Sequence, residues 1–244
     1  MTTLHIAHLY PTELGINGDV GNVMALAFRA RAFGVDVRVT DIHRGDSLPT
    51  DIDLVHVGSG PTDALQLVLP DIQRHRDSLM SLREAGVPFL GISGGWFVLG
   101  ESVTFIDGVT LEGACVFPTR VTLLASRAVG EIEVLTAWGS VTGFENHSSH
   151  VDDAGLTHFG SVIHGVGSDP TRSTGDRWDG VVLGSSIGTN LHGPLLPMNP
   201  DIADSLITAA VTRRIPEWTL PDAASLKQLD EFARRSRDAV RGRL

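Results

Sequence analysis

A parallel β-sheet with helices on both faces is the architecture that the sequence predicts. Three observations point to it. Short runs rich in β-branched residues recur through the first hundred positions, stretches of helical spacing separate them, and glycine or proline marks each change of period. LHIAHL, from Leu4, reads as a first strand, and the loop YPTELGINGD follows it. GNVMALAFRARAF has helical spacing and stops at Gly34. VDVRVTDI and DLVHVG read as the second and third strands. A helical region then runs from about Asp63 to Ala85, with a break expected near Pro70, before VPFLGI enters as a fourth strand.

The middle of the chain, from Val103 to about Gly184, reads as shorter strand-like pieces and turns. EIEVLTAW, SVTGFEN and GVVLGSS are such pieces, and SDPTRSTGDRWDG is a polar loop among them. PDIADSLITAAVTRRI is a helix with Pro200 at its start and cations near its end. After PEWTLP, AASLKQLDEFARRSRDAV reads as a terminal amphipathic helix. The expected division is a main domain over 1–215 and a helical appendage over 216–244.

Composition removes several classes of function. The chain has 244 residues, a formal charge of −10 and 42% hydrophobic residues, enough for one large core. Its one basic run, RRSRDAVRGR, reads as a solvated helix face, so no nucleic-acid partner is expected. Cys115 is the single cysteine, which rules out an internal disulfide or a thiolate zinc cluster. It lies in the strand-like LEGACVFP and reads as a core residue. The histidines show no metal-ligand spacing, and no cofactor motif is present. The start, MTTLHIAHLYPTEL, lacks a basic region and a long apolar core, and no apolar run approaches the ~20 residues of a membrane span. A cytoplasmic protein is expected.

GISGGWFVLG, from Gly91, carries the chemistry. A side chain at a sharp strand-to-helix turn is held clear of the backbone, and amides at the helix start can stabilise a developing oxyanion. GISGG fits the G-x-S-x-G elbow of serine hydrolases, with Ser93 at its apex. In SIGTNLHGPLLPMNPDIADSL, His192 ends another strand-like run before a loop and a helix, where it could serve Ser93 as a base.

With these motifs on the page, the chain resembles the class I glutamine amidotransferases of the cobyric acid synthase type. Within them it is most similar to the glutaminase subunits of lipid II isoglutaminyl synthase. LYPTELGINGDVGNVMAL, VGSGPTD from Val57, GISGGWFVLG, and GFENHSSH with GTNLHGPLLPMNPDIAD carry the resemblance, in family order. It implies a three-layer flavodoxin-like fold with a mostly parallel central sheet. It also implies a nucleophile that attacks the glutamine side-chain amide and ammonia delivered to a Mur-ligase-like synthetase partner. Mapped by position, Ser93 stands at the nucleophile, His192 at the base, and the amides of Gly60 and Gly94 at the oxyanion hole. Phe97, Asn146 and His147 fall at substrate-binding positions, His147 as a loop residue supporting the pocket. Asn17 and Asp19 fall where the family closes over its site or meets its partner, or else serve only to form the turn.

The sequence departs from the family in four places. Ser93 replaces a cysteine, and a hydroxyl needs far more help from a base than a thiol of pKa ~8.5. Phe97 replaces a glutamine that helps hold substrate. Pro61, in GSGP, has no amide hydrogen to donate. Pro194 stands two residues beyond the histidine, where many relatives have an acid. Three functions follow. They are an ammonia-supplying subunit with impaired glutamine hydrolysis, a catalytically dead binding or regulatory subunit, and a serine hydrolase in which Asp169 or Asp179 orients His192.

Overall fold

The computed structural model describes residues 3–244. The elements run β1 (Thr3–Leu9), α1 (Val20–Ala32), β2 (Asp36–Ile42), β3 (Leu54–Val57), α2 (Thr62–Ile72), α3 (Arg76–Glu84), β4 (Phe89–Ile92) and α4 (Gly94–Leu99). There follow β5 (Ser102–Thr104), β6 (Thr110–Glu112), β7 (Arg120–Thr136), β8 (Gly139–Asp152), β9 (Thr157–His164), β10 (Trp178–Leu183), β11 (Ser186–Thr189) and β12 (Leu191–His192). Three helices complete the chain: α5 (Leu195–Met198), α6 (Pro200–Thr212) and α7 (Lys227–Arg241).

Five strands form a parallel block in the order β2-β1-β3-β4-β11. This is the flavodoxin-like order, with its crossover reversal between β1 and β3. Successive residues of a strand face opposite sides, and the core divides accordingly. Leu4, Ile6, Leu54, Leu90 and Ile92 pack with α1, α5 and α6 on one face. Ala7, Leu9, Val55, Val57 and Phe89 pack with α2, α3 and α4 on the other. The expected three-layer fold is borne out.

Beyond β11 the sheet continues through antiparallel strands, in the order β10-β9-β7-β8-β12. Here two local expectations are corrected. The middle of the chain is a long ribbon of β7, 17 residues, and β8, 14 residues, and not a series of short pieces. Gly130 lies within β7, where a Cβ would meet nothing within 4 Å, and the strand runs through it. GFENHSSH therefore lies within β8, which puts His147 on a strand and not in a loop. The helical region breaks near Pro70, as expected: that residue sits in the last turn of α2, and the interruption follows at the 3₁₀ turn Gln73–His75. A proline late in a helix forfeits a single backbone bond, so the last turn tolerates it.

Cys115 is also relocated. It lies in the connection between β6 and β7 at φ 57°, partly exposed, and burial pushes its thiol pKa up. No helix among the described residues is long and apolar enough to cross a membrane.

Candidate active site

Ser93 follows the last residue of β4 and precedes α4 with φ 46° and ψ −111°, a conformation that non-glycine residues rarely hold. Two bonds fix it: its amide donates to the Thr189 carbonyl at 2.7 Å, and its carbonyl accepts from the Phe97 amide at 2.9 Å. The flanking glycines have steric reasons. A Cβ on Gly91 would lie 2.7 Å from the Trp96 Cα, and one on Gly95 2.2 Å from the Val57 carbonyl oxygen. The helix can therefore fold back over the strand only if both positions lack side chains.

His192 reaches the same end of the sheet from the neighbouring strand. β11 runs parallel to β4, with Thr189 opposite Ile92, and the chain continues through Asn190 into β12. The His192 side chain is fully buried. Its Nδ1 lies 3.2 and 3.3 Å from the two carboxylate oxygens of Asp19. A carboxylate can only accept from the ring, so Nδ1 carries the proton and Nε2 presents a lone pair. That Nε2 is buried and has no hydrogen-bond partner among the described residues, Ser93 included.

Asp19 is the functional residue that sequence reasoning underweighted. It sits at the N-cap of α1, yet its side chain makes no capping bond. Its carboxylate accepts instead from the Ser59 amide at 2.9 Å, and its carbonyl oxygen lies 3.1 Å from His56 Nε2. Burial pushes its carboxyl pKa above the usual range, while His192 and the Ser59 amide pull the other way. The aspartates considered as partners of His192 are occupied elsewhere. Asp169 accepts from Thr171 and Arg172 and contacts His150, and Asp179 accepts from Ser168, Thr189 and the Asn190 amide. The signal for Asp19 was an acid closing a glycine-rich loop, INGD, and that pattern alone also describes an ordinary turn.

Ser93 opens onto a narrow cleft with about 40 Å³ of space for water-sized occupants. Gly60, Gly94, Phe97, Asn146 and His147 all line it, so the structure brings these positions together. A Cβ placed on Gly94 would be 3.5 Å from the Gly60 nitrogen, which puts the two amide-bearing segments side by side. Phe97 is buried and tilted against Trp96, with ring centroids 6.1 Å apart. His147 is buried, with Nδ1 3.0 Å from the Ser149 hydroxyl and Nε2 3.3 Å from Glu145. Asn17 also lines the cleft, at φ 58°.

Arg127 was not foreseen. Between Leu123 and Ala128 the β7–β8 register shifts, so four residues of β7 stand opposite Ser148 alone. This bulge carries Arg127 to the cleft wall, where its Nε donates to Asn146 Oδ1 at 2.7 Å. Among the described residues, no group of three or more His, Cys, Asp or Glu side chains is gathered to hold a metal.

Comparison with known proteins places this geometry. Residues 5–200 match the model of the CobB/CobQ-like glutamine amidotransferase domain. The chain is 30% identical over 217 residues to the GatD subunit of lipid II isoglutaminyl synthase (glutamine-hydrolyzing) from Staphylococcus aureus, covering 88% of this chain and 87% of that protein. It is 27% identical over 218 residues to the GatD subunit from Streptococcus pneumoniae, covering 86% and 82%. Among solved structures, a glutamine amidotransferase from Thermotoga maritima superimposes with a TM-score of 0.53 at 15% identity, covering 98% of this chain and 94% of that one. This last likeness concerns the fold alone.

Proposed function

Because the chain belongs to the CobB/CobQ-like glutamine amidotransferase family, we propose that it is a glutaminase-type subunit acting in the cytoplasm. It supplies ammonia to a Mur-ligase-like synthetase that amidates a peptidoglycan precursor. The observation that carries this reading is the buried Asp19–His192 pair at the strand end beside the Ser93 corner. Two relatives support the choice of pathway, since those from both cocci are GatD subunits of lipid II isoglutaminyl synthase.

In this mechanism His192 Nε2 takes the Ser93 proton as Oγ attacks the side-chain amide carbon of glutamine. Asp19 holds the imidazole in the tautomer that leaves Nε2 free, and stabilises the imidazolium that forms. The Gly60 and Gly94 amides face the developing oxyanion; neither donates to another group among the described residues. Returning the proton to nitrogen releases ammonia and leaves an ester on Ser93, which water hydrolyses by the same route in reverse. Glutamine turnover is slow as the chain stands, because a serine hydroxyl demands more of the base than a thiol and Phe97 offers no hydrogen bond to the substrate.

A second reading has its own support. Ser93, His192 and Asp19 are the three residue types of a serine hydrolase triad, and a hydroxyl suits ester cleavage. Assays with glutamine, in the presence of the synthetase, and with an activated ester separate the readings. Under the first, Ser93→Cys raises ammonia release, adding Phe97→Gln raises it further, and adding Asp19→Asn abolishes the gain. Brisk ester turnover that Ser93→Cys diminishes would replace it with the hydrolase reading. Silence from every variant towards both substrates would leave a binding subunit without chemistry.

A further inference from the structure

β11 and β12 are separated by a single residue, Asn190, yet they stand at opposite ends of the strand path β12-β8-β7-β9-β10-β11. Laid flat, strands ~4.8 Å apart would hold them roughly 24 Å from each other, whereas two residues of chain reach at most about 7 Å. The antiparallel half of the sheet therefore curls until its ends meet. The turn that joins them, Thr189 to Leu191, ties the Ser93 corner to the base. The Thr189 carbonyl accepts from the Ser93 amide at 2.7 Å, and His192 follows Leu191 directly.

One carboxylate holds all of that turn. Ser168, Asp179, Thr189 and Asn190 are completely buried. Asp179, on β10, accepts at Oδ2 from the Thr189 hydroxyl at 2.5 Å and from the Asn190 amide at 3.2 Å. Its Oδ1 accepts from the Ser168 hydroxyl at 2.9 Å. The Leu191 amide donates in turn to Thr189 Oγ1 at 3.1 Å, so each residue of the turn is fixed to Asp179 directly or at one remove. The site demands an acceptor at both ends. Ser168 Oγ already accepts from the Gly180 amide and the Asn190 side chain, which fills its lone pairs and leaves its proton for Asp179. At the other oxygen stand the Thr189 hydroxyl and the Asn190 amide, both donors. An asparagine at 179 would set a donor against a donor in either orientation.

We propose that Asp179 is a positioning residue for His192. By fixing the turn from Thr189 to Leu191 it holds the imidazole where Nδ1 meets Asp19 and Nε2 stays free. It acts through the backbone of the turn, and so differs from Asp19, which bonds the ring itself. The consequence for catalysis rests on the reading of His192 as the base; the hold on the ring does not.

NMR of the whole isotope-labelled chain reads the ring directly. A proton on Nδ1 bonded to a buried carboxylate gives a far-downfield signal, assigned to His192 by its absence from His192→Gln. Asp179→Asn and Thr189→Val are expected to lose that signal, and Thr189→Ser, which keeps the hydroxyl, to retain it. Arg29→Ala, which cuts a tie between helices elsewhere in the molecule, should also retain it. Should Asp179→Asn fail to fold, the two Thr189 variants decide. In the Ser93→Cys chain, Asp179→Asn is expected to lower kcat for ammonia release at least about tenfold with KM little changed. Survival of the His192 signal in folded Asp179→Asn and Thr189→Val would overturn the proposal, as would its absence from the unaltered chain. So would its loss from Arg29→Ala, which would make it a report on stability alone. If the signal follows the expected pattern and no chain releases ammonia, the hold on His192 stands and the glutaminase reading falls.

Discussion

A methyl group on Gly95 would meet two carbonyl oxygens, Val57 at 2.2 Å and Gly58 at 2.3 Å, and backbone cannot step aside as a side chain can. On Gly94 the closest atom would be Leu65 Cδ2 at 3.0 Å, the end of a flexible side chain. Gly95→Ala is therefore expected to cost roughly 1–3 kcal/mol or more by overpacking, and Gly94→Ala less than about 1 kcal/mol. Urea unfolding of both variants checks this, and equal losses would show that the corner's glycines are not held by sterics. At this scale the sequence was partly legible. Ser93 and His192 announce themselves because a glycine-flanked corner and a histidine at a strand end are local patterns. Asp19 does not, because it meets His192 across 173 residues of sequence. Nothing in an Asn-Gly-Asp turn says where its carboxylate will point.

Between β1 and β3 the parallel register sets His8 directly opposite His56, and their rings stack with centroids 5.5 Å apart. His56 is completely buried, with Nδ1 and Nε2 each 3.1 Å from a carbonyl oxygen, those of Leu90 and Asp19. Burial first, and then the neighbouring His8, push its pKa down to about 3. An unfolded histidine titrates near ~6.5, so between those values the unfolded chain binds the extra proton. The stability His56 contributes is complete above that unfolded value and is lost as the pH falls towards 3. From pH 7.5 to 5 this one group should cost about 2 kcal/mol. His56→Gln, which does not titrate, is expected to flatten the loss by about that amount, read from urea midpoints at the two pH values. An unchanged slope would place the titration elsewhere. The strands themselves were legible as short runs rich in β-branched residues, but the pairing of two histidines depends on register, which a lone strand does not specify.

Across the whole molecule, Arg29 ties together three helices distant in sequence. From α1 it donates to both oxygens of Asp204 on α6 and to Asp230 on α7, at 2.6 Å each. It is nearly buried, so removing it leaves the largely buried Asp204 carboxylate unpaired and cuts the tie to the exposed Asp230. Arg29→Ala is expected to destabilise the protein by on the order of 3 kcal/mol and to speed protease cleavage between α6 and α7. Unchanged stability and cleavage would mean that α7 is held by its contacts to the ribbon, where Arg241 donates to Glu133 and the Ser140 carbonyl.

What the sequence determined by itself was whatever short-range physics writes into neighbouring residues. Runs rich in β-branched residues and stretches of helical spacing mark β1 to β4 and the helices between them, and the order of its motifs carries the family. The tertiary structure alone decided the rest. It carried β7 and β8 through positions that read as turns, because cross-strand pairing outweighs local propensity. It brought Asp19 to His192, and it opened the bulge that delivers Arg127 to the Ser93 cleft. Each of these requires two distant segments to meet, and the free energy that selects such a meeting belongs to the pair and to the core that encloses it, not to either segment alone.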